Sequence, residues 1–260
     1  MNDKIKWDQA ADDCQRVYLL GLNEYNASLL LFWREQGMIQ PGSKVLDIGC
    51  GVGKYGVYLA ELGCEMTLTD ISGEMLRHAG ENMAAVRLPW TVYQCDFHEA
   101  TGKEAVFSDG FDFVFSTMSS AVCDAETVKK MSSLSHGWCF IARFHDWEQP
   151  FRDTLIRELG MEPRSKFQDL EGDCVSMIRF VREAGFTPSV RYVDYNWADE
   201  RTPEEMTDHM LRSCLSEEAD QDLLAAELLN LSRAHAGENG TVTDNVNTKV
   251  VWIYWKSERE

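Results

Sequence analysis

The sequence has little positive charge for its length. Its 260 residues include 25 Lys and Arg against 43 Asp and Glu, a formal net charge of -18 at pH 7. Nucleic-acid affinity rests mainly on basic side chains that neutralise phosphates, so this balance disfavours RNA or DNA as a partner. We therefore expect a small-molecule ligand and no nucleic-acid partner.

Paired cysteines and long apolar runs are also missing. None of the eight cysteines belongs to a C-x-x-C pair or to a Cys/His cluster with zinc-ligand spacing, which predicts free thiols in a reducing cytosol. The start of the chain lacks the apolar core of a signal peptide, and the segment SLLLFW is too short to cross a bilayer. These absences predict a soluble, cytoplasmic protein with no membrane partner.

What is present is an alternation of strand and helix patterns. The apolar run KVLDIG, the helical segment YGVYLAEL and the run EMTLTD form one βαβ unit, and strands and helices continue to alternate after it. The alternation predicts an α/β fold with a doubly wound, mostly parallel seven-stranded sheet, N-terminal helices and a helical insertion before the last strand. SVRYVDYNW is predicted as one strand, and the Gly/Asn-rich stretch AGENGTVTDN as a loop.

The length and the absence of a linker predict a single domain over residues 1–260. Within it we expect an N-terminal helical cap at 1–42 and a ligand-binding half at 43–150. The C-terminal half, 151–260, carries cap helices at about 202–234.

The segment DIGCGVG, residues 47–53, places three glycines between a strand and a helix, and Asp70 closes the next strand. A Walker A loop would need a glycine where Ile48 stands and a Ser or Thr where Tyr55 stands, so this is not a P-loop. A dinucleotide-binding loop would need a third glycine where Lys54 stands. That difference weakens the hypothesis of an NAD-dependent oxidoreductase but does not exclude it.

This arrangement resembles the first two motifs of the S-adenosylmethionine (SAM)-dependent methyltransferases of the Rossmann-like class. The sequence VLDIGCGVG is close to the usual first motif of that family, and the resemblance extends with decreasing detail over about residues 40–145. It implies a methyltransferase of the EC 2.1.1 type, with SAM as cofactor and S-adenosylhomocysteine (SAH) as product. Glycines let the backbone approach a ligand closely, and a carboxylate can accept two hydroxyl donors.

The resemblance also implies roles for individual residues. The glycine loop would lie against the methionine part of SAM, and Asp70 would bind both ribose hydroxyls. In QCDFHE, Asp96 would take the exocyclic amine of adenine and Phe97 would lie near its ring. The set also includes Ser116, at the end of the fourth strand, and two tyrosines near the start of the chain. The predicted cofactor-binding residues are Asp47, Gly49, Cys50, Gly51, Gly53, Asp70, Ile71, Asp96, Phe97, Ser116, Tyr18 and Tyr25.

Tyr18 and Tyr25 are seven residues apart, which places them on one face of a predicted N-terminal helix. Comparable segments in the family often fold over the cofactor. The two tyrosines are therefore expected to reach the site together or to be ordinary core residues together.

His145, in RFHDWEQP, is the predicted catalytic residue. It follows the fifth strand, at the carboxyl edge where open α/β sheets place their sites, and its ordinary pKa suits proton abstraction near neutrality. Methyl transfer needs such a base only if the acceptor arrives protonated. The alternatives are a surface histidine paired with Asp146, or a metal site of His145, Asp146 and Glu148; no metal is predicted.

The methyl acceptor is predicted to be a small molecule with an O, N or S nucleophile. The fourth strand runs into STMSS and not into the Asn/Asp-Pro-Pro-Tyr motif of amino methyltransferases, and no Pro-Cys of the cytosine-C5 enzymes occurs. Trp147, Tyr195 and Trp197 lie at the carboxyl ends of predicted strands, where they could line an aromatic acceptor pocket or cage a cationic amine.

Two further functions remain open. One is a SAM-binding regulator without turnover. The other is methylation of a metalloid such as arsenite, which needs thiolates that converge, and Cys14, Cys174 and Cys214 are the candidates. Scattered cysteines are more often inert core residues.

Overall fold

The computed structural model describes residues 3–161, 169–213 and 221–258. Its α-helices are α1 (Asp3–Leu19), α2 (Glu24–Glu35), α3 (Lys54–Glu61), α4 (Gly73–Met83), α5 (Ala125–Ser133), α6 (Pro150–Glu158), α7 (Leu170–Glu183), α8 (Pro203–Ser213) and α9 (Gln221–Ala234). Its strands are β1 (Lys44–Ile48), β2 (Glu65–Asp70), β3 (Trp90–Gln94), β4 (Phe111–Thr117), β5 (Ser135–Phe144), β6 (Ser189–Asp194), β7 (Trp197–Arg201), β8 (Val242–Val246) and β9 (Lys249–Lys256).

Seven strands form one sheet in the order β3-β2-β1-β4-β5-β9-β6. The pairs β1–β2, β1–β4, β2–β3 and β4–β5 are parallel. The predicted α/β fold with a mostly parallel seven-stranded sheet is confirmed, as are the N-terminal helices and the helical insertion, α8 and α9, before the last strand.

A second, two-stranded sheet corrects the sequence analysis. β7 and β8 pair antiparallel, from Trp197 opposite Val246 to Arg201 opposite Val242. The loop predicted at AGENGTVTDN was therefore wrong over β8, and the strand predicted at SVRYVDYNW is split into β6 and β7. The physical reason is the alternating burial in β8, where the residues at positions 242, 244 and 246 are buried and those between them are exposed.

The chain divides into two compact units. The first comprises the residues up to Arg143, Cys174–Tyr192 and the residues from Val251, and the second comprises Phe144–Asp173 and Val193–Val250. The first unit contains the helices α1–α5 and the strands β1–β4. The single-domain boundaries stay a prediction.

The first unit has apolar packing on both faces of its sheet. Trp33 of α2 is fully buried, and its ring lies 5.2 Å from that of Phe113, 4.9 Å from Phe115 and 5.2 Å from Phe140. A second buried cluster joins α5 and α7 to the sheet and includes Val128, Met131, Cys174, Met177 and Val181. Coverage of both faces explains why the strands read as nearly continuous apolar runs.

In the second unit, α6, α8 and α9 enclose their own core with β8. The buried residues of this core are Leu155, Ile156, Met206, Met210, Leu224, Leu228 and Val242. Within the ranges 3–161, 169–213 and 221–258, no helix combines the length and the apolar character needed to cross a bilayer.

Candidate cofactor site

The strand order identifies the edge of the sheet where a ligand is expected. β1 and β4 are neighbours although β2 and β3 lie between them in the chain, so the winding direction reverses at this point. Open parallel sheets bind ligands beyond the carboxyl ends of their strands at such a switch point. β1 ends at Ile48, directly before the glycine loop, and β4 ends at Thr117.

The backbone conformation accounts for all three glycines of the loop. Gly49, Gly51 and Gly53 have φ angles of 72°, 54° and 77°, in the left-handed region that is unfavourable for residues with a Cβ. Close packing adds a second requirement at two of them. A Cβ on Gly49 would overlap the Ser119 side chain, and a Cβ on Gly53 would lie 3.0 Å from the Cβ of Ala79.

The amide groups of the loop are engaged within the protein. The N–H groups of Gly49 and Cys50 both donate to the carbonyl oxygen of Thr69, at 2.8 and 2.9 Å. Gly51 N–H donates to Asp70 Oδ2 at 2.9 Å, and Gly53 N–H donates to the carbonyl of Cys50 at 3.0 Å. These four N–H groups therefore do not form a cradle for a phosphate.

Asp70 supports the loop from the end of β2. Its Oδ2 accepts from Gly51 N–H and its Oδ1 accepts from Ser72 N–H, each at 2.9 Å. A carboxylate offers about four acceptor sites, so acceptor capacity remains for a hydroxyl donor. Burial raises the pKa of Asp70 above its usual value, although the backbone donors at Ser72 and Gly51 act in the opposite direction.

Asp47 is the most unusual ionisable group of the site. Only 1% of its surface is exposed, and no hydrogen-bond partner for either carboxylate oxygen occurs in the described part of the chain. Burial, and then the charge of Asp70, raise the pKa of Asp47 well above its usual value. An unpaired buried carboxyl is costly, because a buried charge needs a partner. A positively charged ligand group at this loop would provide one.

Cys50, between the two acids, stays protonated. Burial, and then the charges of Asp47 and Asp70, raise the pKa of its thiol well above the usual value. The predicted contact of Cys50 with the cofactor would therefore involve its backbone or a neutral thiol, and not a thiolate.

Three of the predicted cofactor-binding residues, Asp96, Phe97 and Ser116, have structural roles of their own. Asp96 is exposed and accepts the backbone N–H of His98 at 2.9 Å, whereas Phe97 is only 3% exposed and belongs to the core cluster next to α5. Ser116 is fully buried, and its hydroxyl donates to the carbonyl of Ile48 at 2.9 Å. The role observed for Ser116 is therefore to join β4 to β1 just before the loop.

The prediction that Tyr18 and Tyr25 share one helical face was wrong. Tyr18 lies near the end of α1 and Tyr25 in α2, because Gly21, with a φ of 84°, and the N-cap Asn23 separate the two helices. Tyr18 packs against the small cluster around Val52, beside the glycine loop. Tyr25 is 5% exposed, and its hydroxyl accepts from the indole of Trp252 at 3.1 Å, as a core residue would.

Two residues that shape this edge of the sheet were not predicted. Asp8 of α1 accepts the hydroxyl of Ser72 at 2.6 Å, and this bond and the next contribution, from Lys4, lower the pKa of Asp8 to about 2. Ser119, after β4, fills the space beside Gly49. Neither position carries a sequence signal, because each contact joins segments far apart in the chain. Ile71, which was predicted, is half-buried, and its carbonyl accepts from Gln94 at 3.0 Å.

The predicted acceptor residues lie in the second unit and form an aromatic group. This group consists of Phe144, Trp147, Tyr195 and Trp197, all half-buried. The Tyr195 and Trp197 rings are 4.6 Å apart, those of Trp147 and Trp197 5.3 Å, and those of Phe144 and Trp147 4.9 Å. Sequence reasoning thus identified three aromatic residues that the fold brings together.

His145 lies in the same segment as this aromatic group. Its side chain is about a quarter exposed, its Nδ1 is 3.6 Å from Asp146 Oδ2, and its backbone N–H donates to the carbonyl of Lys249. The pairing with Asp146 matches one of the alternatives from the sequence. The role of His145 as a base stays a prediction.

The donor sets considered for metals do not converge. Within the described part of the chain, His145, Asp146 and Glu148 form no group of three ligand atoms close enough to hold an ion. Cys14 and Cys174 belong to no such group either, and Cys174 is buried in α7. Cys214 lies outside the described residues. The metalloid alternative therefore gains no support from the two cysteines that can be placed.

Comparison with known proteins identifies the fold. Residues 45–158 match the model of a family described as a methyltransferase domain. This segment is a methyltransferase domain of the Rossmann-like class. The match includes the glycine loop, Asp70 and the strands β1 to β5, and it confirms the resemblance and SAM as the cofactor of the class.

Two curated relatives match parts of the chain. The chain is 36% identical over 75 residues to YqeM of Bacillus subtilis, a protein named as a methyltransferase, and the match covers 29% of this chain. It is 34% identical over 85 residues to the malonyl-[acyl-carrier protein] O-methyltransferase of Enterobacter lignolyticus, covering 32% of this chain. The chain spans about 30% of the length of each relative.

Solved structures extend the likeness of fold over nearly the whole chain. Magnesium protoporphyrin IX methyltransferase of Synechocystis PCC 6803, crystallised with SAH, aligns with a TM-score of 0.51 and 15% identity, over 96% of this chain and 99% of that one. A precorrin 8w decarboxylase of Methanobacterium thermoautotrophicum aligns with a TM-score of 0.52 and 14% identity, over 90% and 91%. Because a decarboxylase is among them, the shared fold alone does not fix the reaction.

Proposed function

We propose that this methyltransferase chain transfers the methyl group of SAM to an O, N or S nucleophile of a small molecule. The observation that carries the proposal is the buried Asp47, which lacks a partner beside the glycine loop. SAM has an ammonium, a sulfonium and one carboxylate, so it is a cation overall. A cation relieves both the isolation of Asp47 and its repulsion with Asp70.

Each part of SAM is bound by different residues of the loop and of the strand ends next to it. The backbone of Gly49–Gly53 lies against the methionine part, Asp47 faces its positive charge, and the free acceptor sites of Asp70 take the ribose hydroxyls. Asp96 takes the exocyclic amine of adenine. When bound, SAM supplies a methyl carbon that is activated by positively charged sulfur, so the chain has to align the acceptor and exclude water.

Within the second unit, the aromatic group offers a surface for an apolar or cationic small molecule, and His145 is the proposed base. Half-buried aromatic rings offer a planar apolar surface, and their faces also attract cationic amines. A protonated acceptor would give its proton to the His145 imidazole as its lone pair bonds to the methyl carbon, while the methyl–sulfur bond breaks, its electron pair stays on sulfur and SAH leaves. The charge of -18 also agrees with a small acceptor and not with a polyanion.

The first experiment is isothermal titration of the purified chain with SAH and SAM, with NADH as the comparison ligand. Micromolar binding of SAH and SAM without binding of NADH supports the proposal, whereas binding of NADH alone refutes it. Asp70→Ala should raise the dissociation constant of SAH roughly a hundredfold, because charge-assisted hydrogen bonds are worth about 1.5–3 kcal/mol each. Asp109→Ala, an exposed aspartate before β4, is the matched control and should leave binding unchanged.

Turnover separates the enzyme from a SAM-binding regulator. Incubation with methyl-labelled SAM and a small-molecule extract should transfer label to a product, and a regulator would bind SAM without transfer. With the acceptor in hand, His145→Ala should lower kcat by about a hundredfold or more while SAH affinity stays unchanged. His235→Ala, which removes a histidine paired with Glu158 in the same unit, is the control. An unchanged kcat in His145→Ala would exclude His145 as the base.

A further inference from the structure

We propose that His98, Cys123 and Asp124 form a binding site for a divalent transition metal of the zinc type. The three residues come from two loops, after β3 and after β4, and all belong to the first unit. One ligand atom from each lies within 4.8 Å of the other two, and His98 Nε2 is 3.2 Å from Asp124 Oδ2. Across residues 3–161, 169–213 and 221–258, no other three His, Cys, Asp or Glu side chains converge this closely.

Hydrogen bonds hold the backbone at His98. Its N–H donates to Asp96 Oδ1 at 2.9 Å, and its carbonyl accepts from Lys130 Nζ at 2.9 Å. The same ammonium binds the carbonyl of Phe97 at 2.7 Å. The imidazole therefore projects from a fixed turn, although it is itself exposed.

The loop that carries the other two ligands is also fixed. Asp124 is the N-cap of α5, and its Oδ1 accepts the N–H of Thr127 at 2.7 Å, which leaves Oδ2 directed at His98. Cys123 N–H donates to the Thr127 hydroxyl at 3.0 Å, and Arg143 donates to the carbonyl of Val122 at 2.8 Å. Capping and metal binding thus use different oxygens of Asp124.

The donor set selects the class of metal. An imidazole nitrogen, a thiolate and one carboxylate oxygen suit Zn²⁺ and its spectroscopic substitute Co²⁺, whereas Ca²⁺ and Mg²⁺ prefer oxygen ligands alone. Ligands of a tetrahedral zinc ion lie about 3.5 Å apart, so the exposed side chains need to close by roughly 1 Å. On the other side of the imidazole, Glu99 Oε1 lies 3.7 Å from His98 Nδ1.

Cobalt titration of the full chain tests the site. One equivalent of Co²⁺ should produce thiolate-to-metal charge-transfer absorption, and Zn²⁺ should abolish it by displacement. Cys123→Ser should remove this absorption and weaken zinc binding, measured against a chromophoric chelator, by about tenfold or more. Cys14→Ser, a half-buried cysteine of α1 outside the group, should keep both.

Asp124→Asn separates metal binding from helix capping, because asparagine caps helices as well as aspartate does but carries no charge. Zinc affinity should fall about tenfold in this variant while the melting temperature stays unchanged. The proposal is overturned if the native chain shows no charge-transfer absorption, or if the absorption survives in Cys123→Ser. It is equally overturned if Asp124→Asn binds zinc as tightly as the native chain.

Discussion

Gly49→Ala is the sharpest test of the loop geometry. The new methyl group would overlap Ser119 Oγ and lie 2.7 Å from Ser119 Cβ, while the backbone φ of 72° is itself unfavourable for alanine. The left-handed conformation costs about 1–2 kcal/mol, and overpacking costs a further 1–3 kcal/mol. The free energy of unfolding should therefore fall by about 2–5 kcal/mol.

Ser119→Gly removes both clashing atoms and leaves Ala121 Cβ at 3.4 Å, an ordinary contact. The double variant should recover the overpacking part of the loss, about 1–3 kcal/mol, and keep the conformational part. Urea denaturation of the native chain, the two single variants and the double variant measures this coupling.

Gly51→Ala is the matched control for this cycle. Its φ is 54°, but the nearest atom to the new methyl group is Met75 Sδ at 3.8 Å. Gly51→Ala should therefore lose only the part of the unfolding free energy that the left-handed conformation costs, and Ser119→Gly should not restore it. The reasoning is refuted if Gly49→Ala is as mild as Gly51→Ala and shows no coupling to Ser119.

Three further predictions follow from single side chains. Because burial raises the pKa of Asp47, SAM affinity measured by titration calorimetry should rise with pH as Asp47 loses its proton, and Asp47→Asn should weaken binding and flatten that rise. Burial likewise raises the pKa of Asp244 to about 6, so its protonated form stabilises the fold below the unfolded pKa of about 4 and this stability, up to about 3 kcal/mol, is lost as pH rises through about 6. Denaturation of Asp244→Asn should lack that loss, and an equal loss in the variant would exclude Asp244 as its source. Ser116→Ala should cost about 0.5–1.5 kcal/mol of stability, because it removes the buried hydrogen bond to the carbonyl of Ile48, yet change SAH affinity little; the opposite pattern would make Ser116 a direct ligand.

The parts of the site that could be predicted from the sequence are those specified by local backbone geometry. The three glycines of the loop predict a backbone conformation that only glycine adopts easily, and all three have a positive φ. Ser72 is the N-cap of α4, a position that favours serine, and its hydroxyl accepts the N–H of Met75 at 3.0 Å. Such features depend on residues a few positions apart, so the sequence pattern contains them.

The parts that could not be predicted depend on contacts between distant segments. Asp8 meets Ser72 across 64 residues, and Ser119 meets Gly49 only after β4 has paired with β1. The β7–β8 sheet is a similar case, because the alternation in β8 stands within a Gly/Asn-rich stretch that favours a loop. The break between α1 and α2 is a different case, because the sequence marks it locally with Gly21 and Asn23. The apolar periodicity on both sides of these residues favoured one continuous helix over that signal.

The electrostatics of the loop distinguish between the two cofactors that a βαβ unit of this kind commonly binds. A dinucleotide brings a pyrophosphate, which binds to free backbone N–H groups at the start of the helix. Here the N–H groups of Gly49, Cys50, Gly51 and Gly53 are already bonded within the protein, and two carboxyl groups face the same loop. Negative charge is therefore unfavourable at this site and positive charge is favourable. The missing glycine at position 54 and the unpaired Asp47 thus have one explanation, which is a loop built for a sulfonium compound.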